Sequence, residues 1–195
     1  MDTERRIIEA ASDLFRKYGV KSVTMDDIAN EISVSKKTIY QFFQDKNAIV
    51  TTSTRYMLEE EERVMQEIKA DSKDVMDELI RTIEYFKKFM RLINPVLLID
   101  LEKFHTDAWN VYQEFKEECF KRNLINSIIR GIEEGFFRDD FNVDILAKLR
   151  MAEVELAFDQ IVFPHHQYDL YEIQLQFTEH FILGISTRKG FERIE

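Results

Sequence analysis

At 195 residues, with 45% hydrophobic and 33% charged residues, the chain is expected to be globular, not disordered, with room for one small domain and one larger one. No apolar run approaches a membrane span, and the opening Met-Asp-Thr-Glu-Arg-Arg lacks a signal-peptide core, so no membrane partner and a cytoplasmic location are expected. A net charge of -10 argues against nucleic-acid binding only while it is treated as uniform: of 27 Lys/Arg and 37 Asp/Glu, 8 and 8 fall in residues 1–50, leaving 19 and 29 beyond them.

Five Gly and two Pro leave few breaks, which favours an all-α chain. The first helix is predicted at about 3–18, with Ile7, Ile8, Ala11, Leu14, Phe15 and Tyr18 inward and Gly19 as its C-terminal cap. Residues 24–46 then read as two short helices separated by a tight turn. Thr24 caps the first, and Asp27 completes a capping box by reaching back to the cap amide. Asp26 and Asp27 also lie where the helix dipole favours negative charge. Ile28, Ala29 and Ile32 share one buried face. Ser35 caps the next helix, and Ile39, Phe42 and Phe43 form its underside, leaving Lys36, Lys37, Tyr40 and Gln41 facing outward.

A longer helix is predicted from about Lys46 into the run Glu59-Glu60-Glu61-Glu62, which reads as a solvated face or a linker. A helix over about 73–93 carries Val75, Leu79, Ile83, Phe86 and Met90, and Asn94-Pro95 breaks it. Further helices are predicted at 95–105, 107–133, 142–163 and 168–187, punctuated by Gly135, Asp139-Asp140 and Pro164. There is no internal repeat and no low-complexity segment.

A short helix with a polar, basic first turn and an apolar underside suits the DNA major groove. The bland alternative is a helical hairpin whose lysines are merely solvated. The wider segment decides between them. Ile7-Ile8-Glu9-Ala10-Ala11-Ser12-Asp13-Leu14-Phe15, Lys17-Tyr18-Gly19-Val20, Ser22-Val23-Thr24-Met25, Ile28-Ala29, Val34-Ser35-Lys36-Lys37-Thr38-Ile39-Tyr40, Phe43 and Lys46 follow one another without gaps. In this order they resemble the N-terminal domain of the TetR family of bacterial transcriptional repressors. The resemblance covers Arg5 to Val50, with an echo near Gly135-Phe136-Phe137-Arg138. Two positions depart from the family pattern: Ser33 stands at a turn position where glycine is common, and Asn47 where glutamate is.

The resemblance implies an all-α protein. Residues 1–50 would form a three-helix DNA-binding domain with its helix-turn-helix at about 24–43, and residues 51–195 a larger helical regulatory and dimerisation domain. It implies a double-stranded, near-palindromic operator as partner, with Lys36, Lys37, Thr38 and Gln41 facing bases and Thr24, Ser35, Tyr40 and Lys46 holding phosphates. It also implies a homodimer whose last two long helices pair with their mates as a four-helix bundle. The apolar coverage of those helices fits burial on several sides: Leu146, Leu149, Val154, Leu156, Phe158, Ile161 and Phe163 on one, Ile173, Leu175, Phe177, Phe181, Leu183 and Ile185 on the other. Completion of the monomer core is the alternative.

If a small apolar or amphipathic effector releases the DNA, its pocket is expected within about 75–160. Phe86, Phe89, Met90, Phe104, Trp109, Tyr112, Phe115, Met151 and Glu155 are the candidate lining, although the same residues describe a packed core. No cofactor, metal site or catalytic group is expected: none of the four histidines stands in H-E-x-x-H, and there is no phosphate loop or nucleophile elbow. His165-His166 reads as a loop or interface pair. Cys119 alone cannot form an intrachain disulfide or a cysteine-rich zinc site, and reads as a small hydrophobe, with a redox-sensing thiol as the alternative. Two other classes remain: a DNA-binding regulator without an effector, and a helical protein-interaction module.

Overall fold

The computed structural model describes residues 2–193. Met1, where the leader reading begins, and residues 194–195, at the end of the expected C-terminal domain, lie outside the described residues. The elements in chain order are α1 (Thr3–Tyr18), α2 (Met25–Glu31), α3 (Lys36–Ile39), α4 (Lys46–Asp71), α5 (Val75–Met90), α6 (Val96–Phe104), α7 (Thr106–Phe115), a π segment (Lys116–Phe120), α8 (Lys121–Glu133), α9 (Val143–Leu156), α10 (Leu170–Ile185) and α11 (Arg188–Phe191). The fold is all-α, with an N-terminal helix-turn-helix and a helical remainder. Phe137 and Ser186 form an isolated antiparallel bridge. Among the described residues no helix is long and apolar enough to cross a membrane. Two compact units form, one from Met1–Glu61 with Leu92–Phe115, the other from Glu62–Arg91 with Lys116–Glu195.

The first unit closes around Ile7, Phe15, Ile28, Ile39 and Ile49, all fully buried, and Leu101 of α6 and Ala108 of α7 join the same core. The first unit therefore extends well past residue 50. Gly19 ends α1 at φ 78° and returns its amide to Phe15 O at 2.9 Å. Glycine is required twice over, because a Cβ there would lie 2.6 Å from Val96 Cγ2. The tight approach lets α6 dock on the end of α1: Asn94 N donates to Arg16 O at 2.7 Å, and Lys21 N to the buried Asp100 carboxylate at 2.8 Å. Tyr18 was expected inward but is 46% exposed, with Lys17 Nζ 5.0 Å from its ring centroid. At the last turn of the helix its phenol end reaches water.

In the second unit Val75, Met76, Ile128, Phe136, Phe137 and Ile185 form the core. Ions bind α5 to α8: Arg130 meets Glu78 at 2.9 Å and Glu134 at 2.7 Å, and Glu134 also accepts the Val75 amide at 2.8 Å. Four expectations need correction. The helix over 107–133 is interrupted by the π segment at Lys116–Phe120. The helix over 142–163 stops at Leu156, because Asp159 Oδ1 takes the Ile161 amide at 2.7 Å in a side-chain turn. Residues 188–191 form a short helix that the sequence did not suggest, capped by Thr187, whose hydroxyl accepts from Gly190 N at 3.2 Å. The glutamate run is not wholly solvated, for Glu61 is buried.

Candidate nucleic-acid interface

The capping box of α2 forms as its residues dictate. Thr24 Oγ1 accepts from Asp27 N at 3.2 Å, and Asp27 Oδ2 accepts from Thr24 N at 2.8 Å. The Thr24 hydroxyl also donates to that carboxylate at 2.7 Å, and these bonds hold the Asp27 carboxyl below its ordinary pKa. α2 ends in a Schellman motif: Val34 N donates to Ala29 O at 2.9 Å and Ser33 N to Asn30 O at 3.1 Å. Ser33 occupies the left-handed position at φ 57°, the place where the resemblance puts glycine.

Ser35 then caps α3 by accepting from Thr38 N at 3.1 Å, with its hydroxyl 2.9 Å from that of Thr38. α3 itself is four residues long. Bonds from Phe42 N and Phe43 N to Ile39 O, both at 3.0 Å, carry the turn on. Ile39 and Phe43 are buried and fix the underside, but Phe42 is 40% exposed instead of inward. Once the chain leaves the α-helix at Ile39, helical spacing no longer decides which side Phe42 takes.

Lys36, Lys37, Tyr40 and Gln41 all face solvent, and Thr38 is half-buried beneath them. Lys36 Nζ is 2.9 Å from Asp26 Oδ2, which raises its pKa through the hydrogen bond. Both partners are exposed, so that ion pair contributes little and exchanges readily for another anion. Lys46, at the first turn of α4, is less exposed than Lys36 or Lys37. Its ammonium donates to Val20 O at 2.7 Å and is half-buried, and burial pulls its pKa below the usual lysine value against the pull of Asp100 and Asp27. Its ammonium thus has a main-chain partner within the first unit. Asn47, the other departure from the family pattern, places Oδ1 2.7 Å from Nδ1 of His105 at the end of α6. Sequence reasoning missed Asp100 and His105 as supports of this head because they lie more than fifty residues away in the chain.

The candidate effector residues divide between the units. Phe86, Phe89, Met90, Met151 and Glu155 belong to the second, where Tyr85, Phe86 and Phe89 interact ring to ring at 5.7–6.2 Å. Glu155 accepts from Lys116 at 2.8 Å. Phe104, Trp109, Tyr112 and Phe115 belong to the first. Trp109 packs against that unit's core and stacks on Tyr112 at 5.3 Å. Phe104 is 55% exposed and lies under Lys21 Nζ at 5.3 Å. His165 is held by Gln160: its amide donates to Gln160 Oε1 at 3.3 Å and its ring Nε2 meets Gln160 Nε2, while His166 Nε2 is 3.0 Å from Gln167 Nε2. Cys119 is half-buried in the π segment, and burial pushes its thiol pKa up, away from the reactive range. On the second unit Ile145, Leu149 and Leu156 of α9, Ile161 beyond it and Leu183 of α10 are exposed, Ile161 to 92%.

Comparison with known proteins gives consistent findings. Residues 7–51 match the family described as bacterial regulatory proteins, tetR family. Over 139 residues the chain is 32% identical to the HTH-type transcriptional regulator YhgD of Bacillus subtilis, covering 69% of this chain and 70% of that protein. A TetR-family regulator from Agrobacterium tumefaciens superposes with a TM-score of 0.77 at 17% identity, over 94% of this chain and 97% of that one. The regulator FadR of Bacillus subtilis, solved in complex with stearoyl-CoA, gives 0.69 at 18% identity, over 93% and 98%. At these identities the two structures speak for the fold alone.

Proposed function

Since the chain belongs to the TetR family of bacterial transcriptional regulators, we propose that it works as a homodimeric repressor of a near-palindromic operator, released by a small apolar or amphipathic effector. The observation that carries this reading is the leading edge of α3. Ser35 caps it, Ile39 and Phe43 anchor it from below, and Lys36 and Lys37 project from it into solvent. In that arrangement Lys36, Lys37, Thr38 and Gln41 read base edges, while Thr24, Ser35 and Tyr40 hold phosphates and set register. Lys46 supports the head from within. Residues 1–50 are the reading portion and residues 51–195 the regulatory and dimerisation portion, with Leu92–Phe115 lending the reader two helices of core.

A single α3 has little affinity alone, and half-sites about 34–36 Å apart suit a two-fold dimer. The exposed Ile145, Leu149, Leu156, Ile161 and Leu183 support pairing through α9 and α10, since one chain leaves them in water. The aromatic cluster of α5 supports an apolar effector, and a stearoyl-CoA complex is known for FadR. Effector binding that favours a different head separation by a few kcal/mol would empty the operator. The test is selection of bound sites from random duplex DNA, repeated with metabolite extracts. Enrichment of a two-fold symmetric site and its release by an extract are expected; absence of any sequence preference would refute the proposal.

A further inference from the structure

The two acids that open α2 have different partners. Asp27 is taken up by the capping box, where its Oδ2 accepts from the Thr24 amide and hydroxyl. Asp26 takes no part in that cap, and its Oδ2 meets Lys36 Nζ at 2.9 Å across the turn of the helix-turn-helix. The Asp26 and Lys36 side chains are 63% and 46% exposed, and a pair so open to water does little for stability. Lys36 is also the first residue of α3, the leading edge assigned above to base edges. The carboxylate that touches its ammonium therefore lies at that edge as well.

A carboxylate at a DNA-reading edge only accepts hydrogen bonds, and phosphates repel it. Its donors in the major groove are the amino groups, N4 of cytosine and N6 of adenine. An ammonium only donates, and guanine serves it best, because O6 and N7 both accept. In a G·C pair, guanine O6 and cytosine N4 are bonded to each other, so an acceptor and a donor lie side by side in the groove. A lysine and an aspartate already in contact present the complement, one donor beside one acceptor. An A·T pair suits the couplet less well, since thymine gives the lysine O4 alone and sets its methyl group beside it.

We propose that Asp26 and Lys36 read one G·C pair of each half-site as a unit, with Lys36 Nζ donating to guanine O6 and cytosine N4 donating to the Asp26 carboxylate. This deepens the operator reading above and rests on it. Sites are selected from random duplex DNA with the full chain, and the selected operator is then titrated with each base pair changed in turn. The same titrations are run on Asp26→Ala, Lys36→Ala and the double variant. Both side chains are exposed, so the variants are expected to keep the fold, which circular dichroism checks. The unaltered chain should lose about tenfold in affinity when one G·C pair in a half-site becomes A·T. Each single variant should cut that loss to about threefold or less at this same position and keep the preferences elsewhere. The double variant should do no more than either single one, because the two side chains act together. An Asp26→Ala chain that binds every duplex more tightly by one factor, preferences intact, has lost a carboxylate that merely opposed phosphates, and overturns the assignment. Effects of the two single variants at different positions, or a shared position that prefers A·T, also overturn it. A chain that selects a symmetric operator yet gives one of these outcomes loses the couplet and keeps its function, whereas a chain with no preference among duplexes refutes both.

Discussion

Ser33→Gly should stabilise the DNA-reading head. Ser33 sits at φ 57°, where a residue with a Cβ carries a cost of about 1–2 kcal/mol that glycine does not. Glycine gives back roughly 0.4–1 kcal/mol through the larger freedom of its unfolded chain. The turn is held by main-chain bonds, Val34 N to Ala29 O and Ser33 N to Asn30 O, and the serine side chain is exposed, so the exchange removes none of them. The net gain is about 0.5–1 kcal/mol, which for a chain of this size raises the Tm by about 1–4 °C. Ser33→Val, β-branched at the same φ, should lower it instead. Thermal unfolding followed by circular dichroism measures the direction, and hydrogen exchange at the Val34 amide localises it to the turn. A lower Tm for Ser33→Gly, or no penalty for Ser33→Val, would show that the left-handed turn is not the source of strain.

Tyr40→Phe should weaken binding to all operator variants by a similar factor, as loss of a phosphate contact does; a changed base preference in a binding-site selection would contradict that role. Lys46→Met removes the donor that holds Val20 O and should cost about 1 kcal/mol of stability while leaving the salt slope of DNA binding unchanged. A slope reduced by about 0.9 would instead mark Lys46 as a phosphate ligand. If the proposed dimer pairs through α9 and α10, Leu149→Glu together with Ile161→Glu should give monomers in analytical ultracentrifugation where the unaltered chain gives dimers, and dimers in both would place the interface elsewhere.

The head was legible because its signals are local. Capping by Thr24 and Ser35 acts over three residues, Gly19 ends its own helix, and Ile28 and Ile39 follow from spacing along short helices. The failures began where distant or irregular structure takes over. Phe42 faces out because α3 ends one turn earlier than its apolar pattern, and Tyr18 because the stripe of α1 runs into water at its end. No spacing rule flags a π segment at Lys116–Phe120, since its composition is that of an α-helix. Lys46 illustrates the deeper limit. A lysine at a helix start invites the reading of a phosphate ligand, but the carbonyl it binds belongs to Val20, and the carboxylate behind it to Asp100. Those neighbours are set by tertiary packing.

The two-part origin of the first unit bears on how such readers can be exchanged between proteins. A chimera joined at residue 50 would carry the recognition surface away from its own foundations: Leu101 and Ala108 would stay behind, and with them the carboxylate that receives the Lys21 amide. Its transplanted fragment would have to find a substitute floor in the host. The seams that respect this protein's construction are three, after Glu61, Arg91 and Phe115, so a faithful transplant moves two strips of chain together.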